Sequence, residues 1–264
     1  MIEAYFGFKK SPFPKELKVE HMIDTYDCRE AQSRLAYIKQ HRGILMLTGE
    51  PGSGKTSVLR RFVDGLNPQT HLHCYTPHAT VSRSELYRQV NSLLKLPSKL
   101  RKSELFEQIQ RAITELFENQ GKTPCIILDE SHLMDHETLQ ELILVTNFQM
   151  DSRVPFILVL IGQPDLREKL KRRMHEPLSQ RITLRYHMAG MSLEETRSYC
   201  LHHLKIAGRA DPVFEEPAIE VIHQLSLGLP RKVNNLAVQA MTVAMTKKKP
   251  TIDSEIVIQA SGGI

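Results

Sequence analysis

The sequence predicts an α/β fold, a parallel sheet flanked by helices, with a small C-terminal all-helical domain. Three observations carry this. The runs at 43–48, 124–128 and 155–163 are apolar without alternation, as in strands buried on both faces. Segments with helical spacing separate the strand-like runs, and alternating strands and helices build parallel sheets through right-handed crossovers. No strand pattern follows Tyr186, whereas three helical segments do.

Taken in order, residues 1–30 form an opening strap. Tyr5, Phe6, Phe8 and Phe13 interleave there with Gly7, Pro12 and Pro14. It is expected to pack on the core with its end near the site built around residues 49–56. A helix is expected over 28–40, then the strand at 43–48, a helix after it to about Gly65, and a second strand at 71–75. Helices follow over 84–96, stopped by Pro97, and from Ser103, with Leu105, Ile109, Ala112, Ile113 and Leu116 as the apolar stripe. After the strand at 124–128, residues 138–147 read as helix and 155–163 as another buried strand. The α/β domain is expected over 31–189 and the helical domain over 190–264. Ser192 with Glu195 is a capping box opening a helix to about Ala207. Helices over 217–227 and 231–246 and a short element around Val257 complete it.

The chain is organised around Gly49-Glu50-Pro51-Gly52-Ser53-Gly54-Lys55-Thr56, which fits the phosphate-loop pattern G-x-x-x-x-G-K-[ST] between a strand and a helix. Small residues let backbone N–H groups curl around a phosphate, and the following helix adds the positive end of its dipole. The loop and Ser57 behind it would line ATP. Lys55 would reach the β- and γ-phosphates, and the Thr56 hydroxyl would sit on Mg²⁺. Asp129-Glu130 ends the apolar run at 124–128. A carboxylate there can hold Mg²⁺ through water, the role expected of Asp129, while Glu130 can polarise a water for in-line attack.

Composition excludes several classes. Hydrophobic content of 41% and charged content of 25% are ordinary for a globular protein. No apolar run approaches a membrane span, and residues 1–6 lack the basic start and long apolar stretch of a signal peptide. A cytoplasmic protein with no membrane partner is expected. Cys28, Cys74, Cys125 and Cys200 form no C-x-x-C pair, and the adjacent His202 and His203 make a poor chelate on a helix. Free thiols, and no metal beyond nucleotide-bound Mg²⁺, are expected.

The phosphate loop, the Asp129-Glu130 strand, the strand ending at Gln163 and the helical C-terminal part resemble AAA+ P-loop NTPases. Tyr5-Phe6-Gly7-Phe8 with Pro12-Phe13, Leu47-Thr48-Gly49-Glu50, Leu128-Asp129-Glu130-Ser131-His132 and Ile161-Gly162-Gln163-Pro164-Asp165-Leu166 look like the group that holds ExeA-type secretion ATPases and the transposition regulators TnsC, TniB, MuB and IstB. The resemblance covers nearly the whole chain. It implies that Gln163 occupies the sensor-1 position, where Asn or Thr is commoner. It implies that Arg231 in Gly228-Leu229-Pro230-Arg231 is a sensor-2 residue touching the γ-phosphate of its own subunit. Ser179-Gln180-Arg181 resembles the segment carrying an arginine finger, so Arg181 would reach a neighbour's γ-phosphate. Arg172 and Arg173 are the alternatives.

Between Thr76 and Ser103 the chain carries Arg83, Arg88, Lys95, Lys99, Arg101 and Lys102 against the single acid Glu85. The family implies that Arg83, Lys99, Arg101, Lys102 and Ser103 contact duplex DNA through its phosphates, without reading sequence. A solvated helix face is the alternative, and Lys169–Arg173 and Lys247–Lys249 are lesser candidates. The resemblance then implies an ATP-dependent regulator of transposition. It would assemble with ATP on DNA as a ring or helical filament, recruit a transposase and a targeting adaptor, and disassemble on hydrolysis. The rivals are a secretion-assembly ATPase of the ExeA type, a switch with negligible turnover and an initiation or clamp-loading factor. The secretion type carries a membrane span and a wall-binding part, and these 264 residues contain neither, so the transposition reading is the one expected.

Overall fold

The computed structural model describes residues 1–14, 16–77, 82–150 and 152–262. In chain order the helices are α1 (Ile2–Phe6), α2 (Tyr26–His41), α3 (Lys55–Asp64), α4 (Arg83–Leu93), α5 (Lys102–Glu118), α6 (His136–Val145), α7 (Asp165–Leu170), α8 (Glu176–Arg181), α9 (Leu193–Ile206), α10 (Glu216–Ser226), α11 (Pro230–Thr246) and α12 (Ser254–Ser261). The strands are β1 (Gly43–Gly49), β2 (His71–Thr76), β3 (Thr123–Leu128), β4 (Ile157–Gly162) and β5 (Ile182–Met188). The chain divides into two compact units. One comprises Glu30–Pro51 and Val58–Met188; the other comprises Met1–Arg29, Gly52–Ser57 and Ala189–Ile264.

The first unit is built on a five-stranded parallel sheet in the order β2-β3-β4-β1-β5. One core cluster takes alternate strand residues: Ile44 and Met46, Ile126 and Leu128, Leu158 and Leu160. Side chains alternate along a strand, so Leu45, Leu47, Ile127, Val159 and Ile161 bury on the opposite face. This two-sided burial is why those runs are apolar without a break. The stripe of α5 buries Leu105, Ile109 and Ile113 in the first cluster. Among the described residues β5 pairs with β1 alone, and it keeps several half-exposed positions. α4 ends at Leu93, short of Pro97; Lys95 beyond it has a left-handed backbone.

The second unit is helical, with the aromatic strap in its core. Phe6, Phe8 and Phe13 belong to one cluster with Tyr199, Phe214, Val233 and Met241. Phe13 stacks on His203 with ring centroids 5.0 Å apart, and Lys9 N–H donates to the Ala207 carbonyl at 2.8 Å. The capping box of α9 is formed, with Glu195 N–H on Ser192 Oγ and Ser192 N–H on the Glu195 carboxylate. The aromatic residues of the strap are core of the helical unit.

Candidate functional site

β3, β4 and β1 are consecutive neighbours in the sheet and run parallel. Their carboxyl ends therefore lie along one edge. Gly49 closes β1, Asp129-Glu130 follows β3, and Gln163 follows β4. Open parallel sheets bind ligands at this edge, where strand order crosses over.

After Gly49 the chain passes through the exposed Glu50 and Pro51 into Gly52–Ser57 and α3. Lys55 and Thr56 open that helix, whose first-turn N–H groups lack helical partners and form a positive end. Ser53 is buried, and Lys55 Nζ donates to its Oγ at 3.5 Å. Thr56 is exposed and Ser57 half-buried. Gly52 and Gly54 have φ of 85° and 100°, a region glycine enters without steric cost. Within the helical unit Gly52 also abuts α11. Arg231 N–H donates to the Gly52 carbonyl at 3.3 Å, and a Cβ on Gly52 would lie 2.6 Å from Arg231 Cβ. Arg231 is exposed and follows Pro230 in the first turn of α11. A cation there opposes the helix dipole unless an anion offsets it.

Asp129 is buried and its carboxylate is oriented by two donors. The Tyr75 hydroxyl donates to Oδ2 at 2.8 Å, and Glu130 N–H donates to Oδ1 at 2.9 Å. The Tyr75 pKa is pushed up to about 12, first by burial and then by the hydrogen bond to Asp129 and the charges of Asp129 and Glu130. Its hydroxyl therefore stays a donor at physiological pH. Each carboxylate oxygen keeps further accepting capacity. Such carboxylate oxygens are the hard donors that Mg²⁺ takes, alongside phosphate oxygens. Among the described residues no group of three or more His, Cys, Asp and Glu is arranged to hold a metal.

Glu130 is exposed and has a left-handed backbone, φ 53° and ψ 33°. Its Oε2 lies 3.4 Å from His132 Nδ1, and the half-buried Gln163 donates its backbone N–H to the same nitrogen at 3.4 Å. Sequence reasoning gave neither Tyr75 nor His132 a role. Tyr75 lies in the strand expected at 71–75 and His132 in the run 128–132, but only the pairing of β2 with β3 and of β3 with β4 shows what they face.

Arg181 ends α8 and is half-buried. Two residues before it, Ser179 is held by Arg185, which donates to its carbonyl and, at 2.9 Å, to its hydroxyl. Arg172 and Arg173 are exposed. The DNA-contact candidates differ among themselves. Lys99, Arg101 and Ser103 are exposed, but Arg83 pairs with Glu137 at 2.7 Å and Lys102 pairs with the buried Glu141. Residues 78–81, inside the same basic stretch, lie outside the described residues.

Among the described residues no helix is long and apolar enough to cross a membrane. The four cysteines are free. Burial raises Cys74 to about 11 and, with Cys74 nearby, Cys125 to about 12, so these thiols are inert at neutral pH.

The AAA domain family matches residues 38–170. General secretion pathway protein A of Aeromonas hydrophila is 30% identical over 256 residues, covering 94% of this chain and 45% of that protein. The chain thus spans less than half of that relative's length. Among solved structures, the Aeropyrum pernix ORC2 protein in ADPNP–ADP complexes gives a TM-score of 0.65 at 16% identity, covering 96% of this chain and 71% of that one. Drosophila ORC bound to DNA gives a TM-score of 0.64 at 14% identity, covering 98% and 64%. Likeness at such identity speaks for the fold. By its matched domain, its sheet and its phosphate loop, this chain belongs to the AAA domain family and is an AAA+ ATPase.

Proposed function

We propose that this ATPase is an assembly switch, in which bound ATP holds subunits together and hydrolysis releases them. The observation that carries the reading is the shared edge of β1, β3 and β4, with Gly49, Asp129-Glu130 and Gln163 at their ends. Gly49 to Ser57 would cradle the phosphates through backbone N–H groups, and Lys55 would bind the β- and γ-phosphates. Thr56 and Asp129 would hold Mg²⁺, which when bound neutralises charge on the phosphates. Tyr75 and the Glu130 amide would keep the Asp129 carboxylate turned for that task. Glu130 would take the proton of the attacking water. Gln163 would sense the γ-phosphate. Arg231 would supply a cation from the same subunit, in keeping with its position at a helix start and against Gly52. Arg181 would serve a neighbouring subunit, with Arg172 and Arg173 as alternatives, and a site finished in this way requires a homo-oligomer. We assign the protein to the cytoplasm, where ATP is supplied.

Of the finer readings stated from the sequence, the match to General secretion pathway protein A favours secretion assembly over transposition. A DNA-binding reading is kept for one observation: Lys99 and Arg101 are exposed in a basic turn, in a fold shared with ORC bound to DNA. Duplex DNA, and through it a transposase and an adaptor, would be its partners.

The test is oligomer mass with and without ATP and Mg²⁺. Lys55→Ala is expected to stay unassembled, and Glu130→Gln to remain assembled after ATP addition. Assembly of Lys55→Ala with ATP at the normal level would remove the phosphate-loop reading. Stimulation of hydrolysis by duplex DNA would favour the DNA reading; indifference to DNA would favour secretion assembly.

A further inference from the structure

The turn Ser131–Leu133 brings His132 between the ends of β3 and β4. Its side chain is 8% exposed. Several interactions fix it there. His132 packs on Gly162, where an added Cβ would meet His132 N at 3.1 Å and His132 Cβ at 3.3 Å. Lys169 of α7 donates to the carbonyls of His132 and Met134, each at 2.6 Å. Ser131 Oγ donates to the Leu128 carbonyl at 2.7 Å. Glu130 enters the turn in a left-handed conformation, which a non-glycine residue holds at a cost.

One ring nitrogen thereby faces two demands. Glu130 Oε2 and the Gln163 backbone N–H both lie 3.4 Å from His132 Nδ1. With a lone pair on Nδ1, the imidazole accepts from Gln163 and repels the carboxylate. With the proton on Nδ1, it donates to Glu130 and gives up the amide. Both are neutral tautomers, so the exchange moves the ring proton between Nε2 and Nδ1 through solvent without changing charge.

We infer that His132 is a positioning residue that couples Gln163 to Glu130 by exchanging Nδ1 between them. The inference rests on the proposed role of Glu130 as the base. When the Gln163 amide holds Nδ1, Glu130 is released to act on water. When that amide withdraws, Nδ1–H holds the carboxylate back. A shift at the end of β4 is thus reported to the acid at the end of β3 through one side chain.

The experiment is steady-state ATP hydrolysis by the full chain, with affinity for a fluorescent ATP analogue measured alongside. His132→Phe keeps the bulk and removes both hydrogen bonds. It is expected to lower kcat by about tenfold while KM stays within about twofold. His132→Asn sets an amide near the Nδ1 position and is expected to recover to within about threefold of the native rate. His132→Gln reaches the Nε2 position instead and is expected to stay near the Phe rate. Native turnover by His132→Phe, or equal rates for the Asn and Gln variants, would overturn the inference. If His132→Phe loses its cooperative thermal transition, the Asn and Gln comparison decides. Glu130→Gln, run in parallel, separates the two readings. A native rate there removes Glu130 as base, whereas a dead Glu130→Gln with an unaffected His132→Phe removes the coupling alone.

Discussion

The Tyr75 hydroxyl donates to Asp129 Oδ2 at 2.8 Å, joining the end of β2 to the acid that follows β3. The partner lies one strand away in the sheet, with Tyr75 in register with Ile127. Groups that orient a metal-binding carboxylate commonly matter about 10–100-fold for metal affinity. Tyr75→Phe removes the donor while keeping the ring. The Mg²⁺ concentration for half-maximal hydrolysis should rise about tenfold, with kcat at saturating Mg²⁺ changed less than about threefold. An unchanged Mg²⁺ titration would show that Tyr75 only packs.

How much of this could be read beforehand follows from where the signal resides. β1, β3 and β4 announce themselves because burial on both faces demands unbroken apolar runs. The phosphate loop is local, with its chemistry within eight consecutive residues from Gly49 to Thr56. β5 gives a weaker signal. It is an edge strand whose burial alternates with exposure, and Thr183, Arg185 and His187 interrupt its apolar positions. The six-residue helices α7 and α8 are too short for a period to show. Lys102 is expected from the sequence to contact DNA phosphates; its ion pair with Glu141 is not legible there because that partner lies in another helix. The strap's docking into the helical unit depends on Ala207 and Phe214, far along the chain.

Gly52 tests the join between the loop and α11. Its φ of 85° suits glycine, and a Cβ would come within 2.6 Å of Arg231 Cβ. Gly52→Ala therefore strains the backbone and displaces the start of α11. A loss of about 1–3 kcal/mol in stability is expected from the conformation and clash together. ATP affinity should fall more than about tenfold, since loop and arginine are both disturbed. Thermal denaturation with and without ATP and Mg²⁺ checks both: the variant should melt lower and gain little from nucleotide.

His203 gives the helical unit a pH dependence. The ring is buried, bonds the Pro12 carbonyl through Nδ1 at 2.9 Å, and finds no hydrogen-bond partner for Nε2 among the described residues. Burial lowers its pKa to about 4, with the Pro12 carbonyl raising it and His202 lowering it further. The unfolded chain therefore binds more protons between the ordinary histidine value near 6.5 and about 4. Stability is retained above that window and falls as pH drops through it, by about 3 kcal/mol in full. His203→Asn keeps a donor for Pro12 and cannot titrate. Melting temperature between pH 7.5 and 4.5 should fall less steeply for this variant than for the native chain; parallel curves would mean that His203 is not responsible.

Lys102 and its basic neighbours separate a structural charge from a candidate phosphate ligand. Glu141 is buried, accepts from the Tyr87 hydroxyl at 2.6 Å and pairs with the Lys102 ammonium. Tyr87 is pushed above the usual tyrosine range by burial and by Glu141, so it remains a donor. Lys102→Ala leaves that carboxylate short of a partner, at a cost of about 1–3 kcal/mol, and should lower the melting temperature by several degrees. Lys99 and Arg101 are exposed, so the double variant Lys99→Ala/Arg101→Ala should melt like the native chain. If these two meet phosphates, its DNA affinity should show a salt dependence shallower by about two in the log–log slope, at about 0.9 for each phosphate no longer neutralised. An unchanged slope with a native melting temperature would exclude this turn as the DNA surface. Because Lys102→Ala perturbs the core, reduced DNA binding by that variant alone would carry no weight until its fold had been checked.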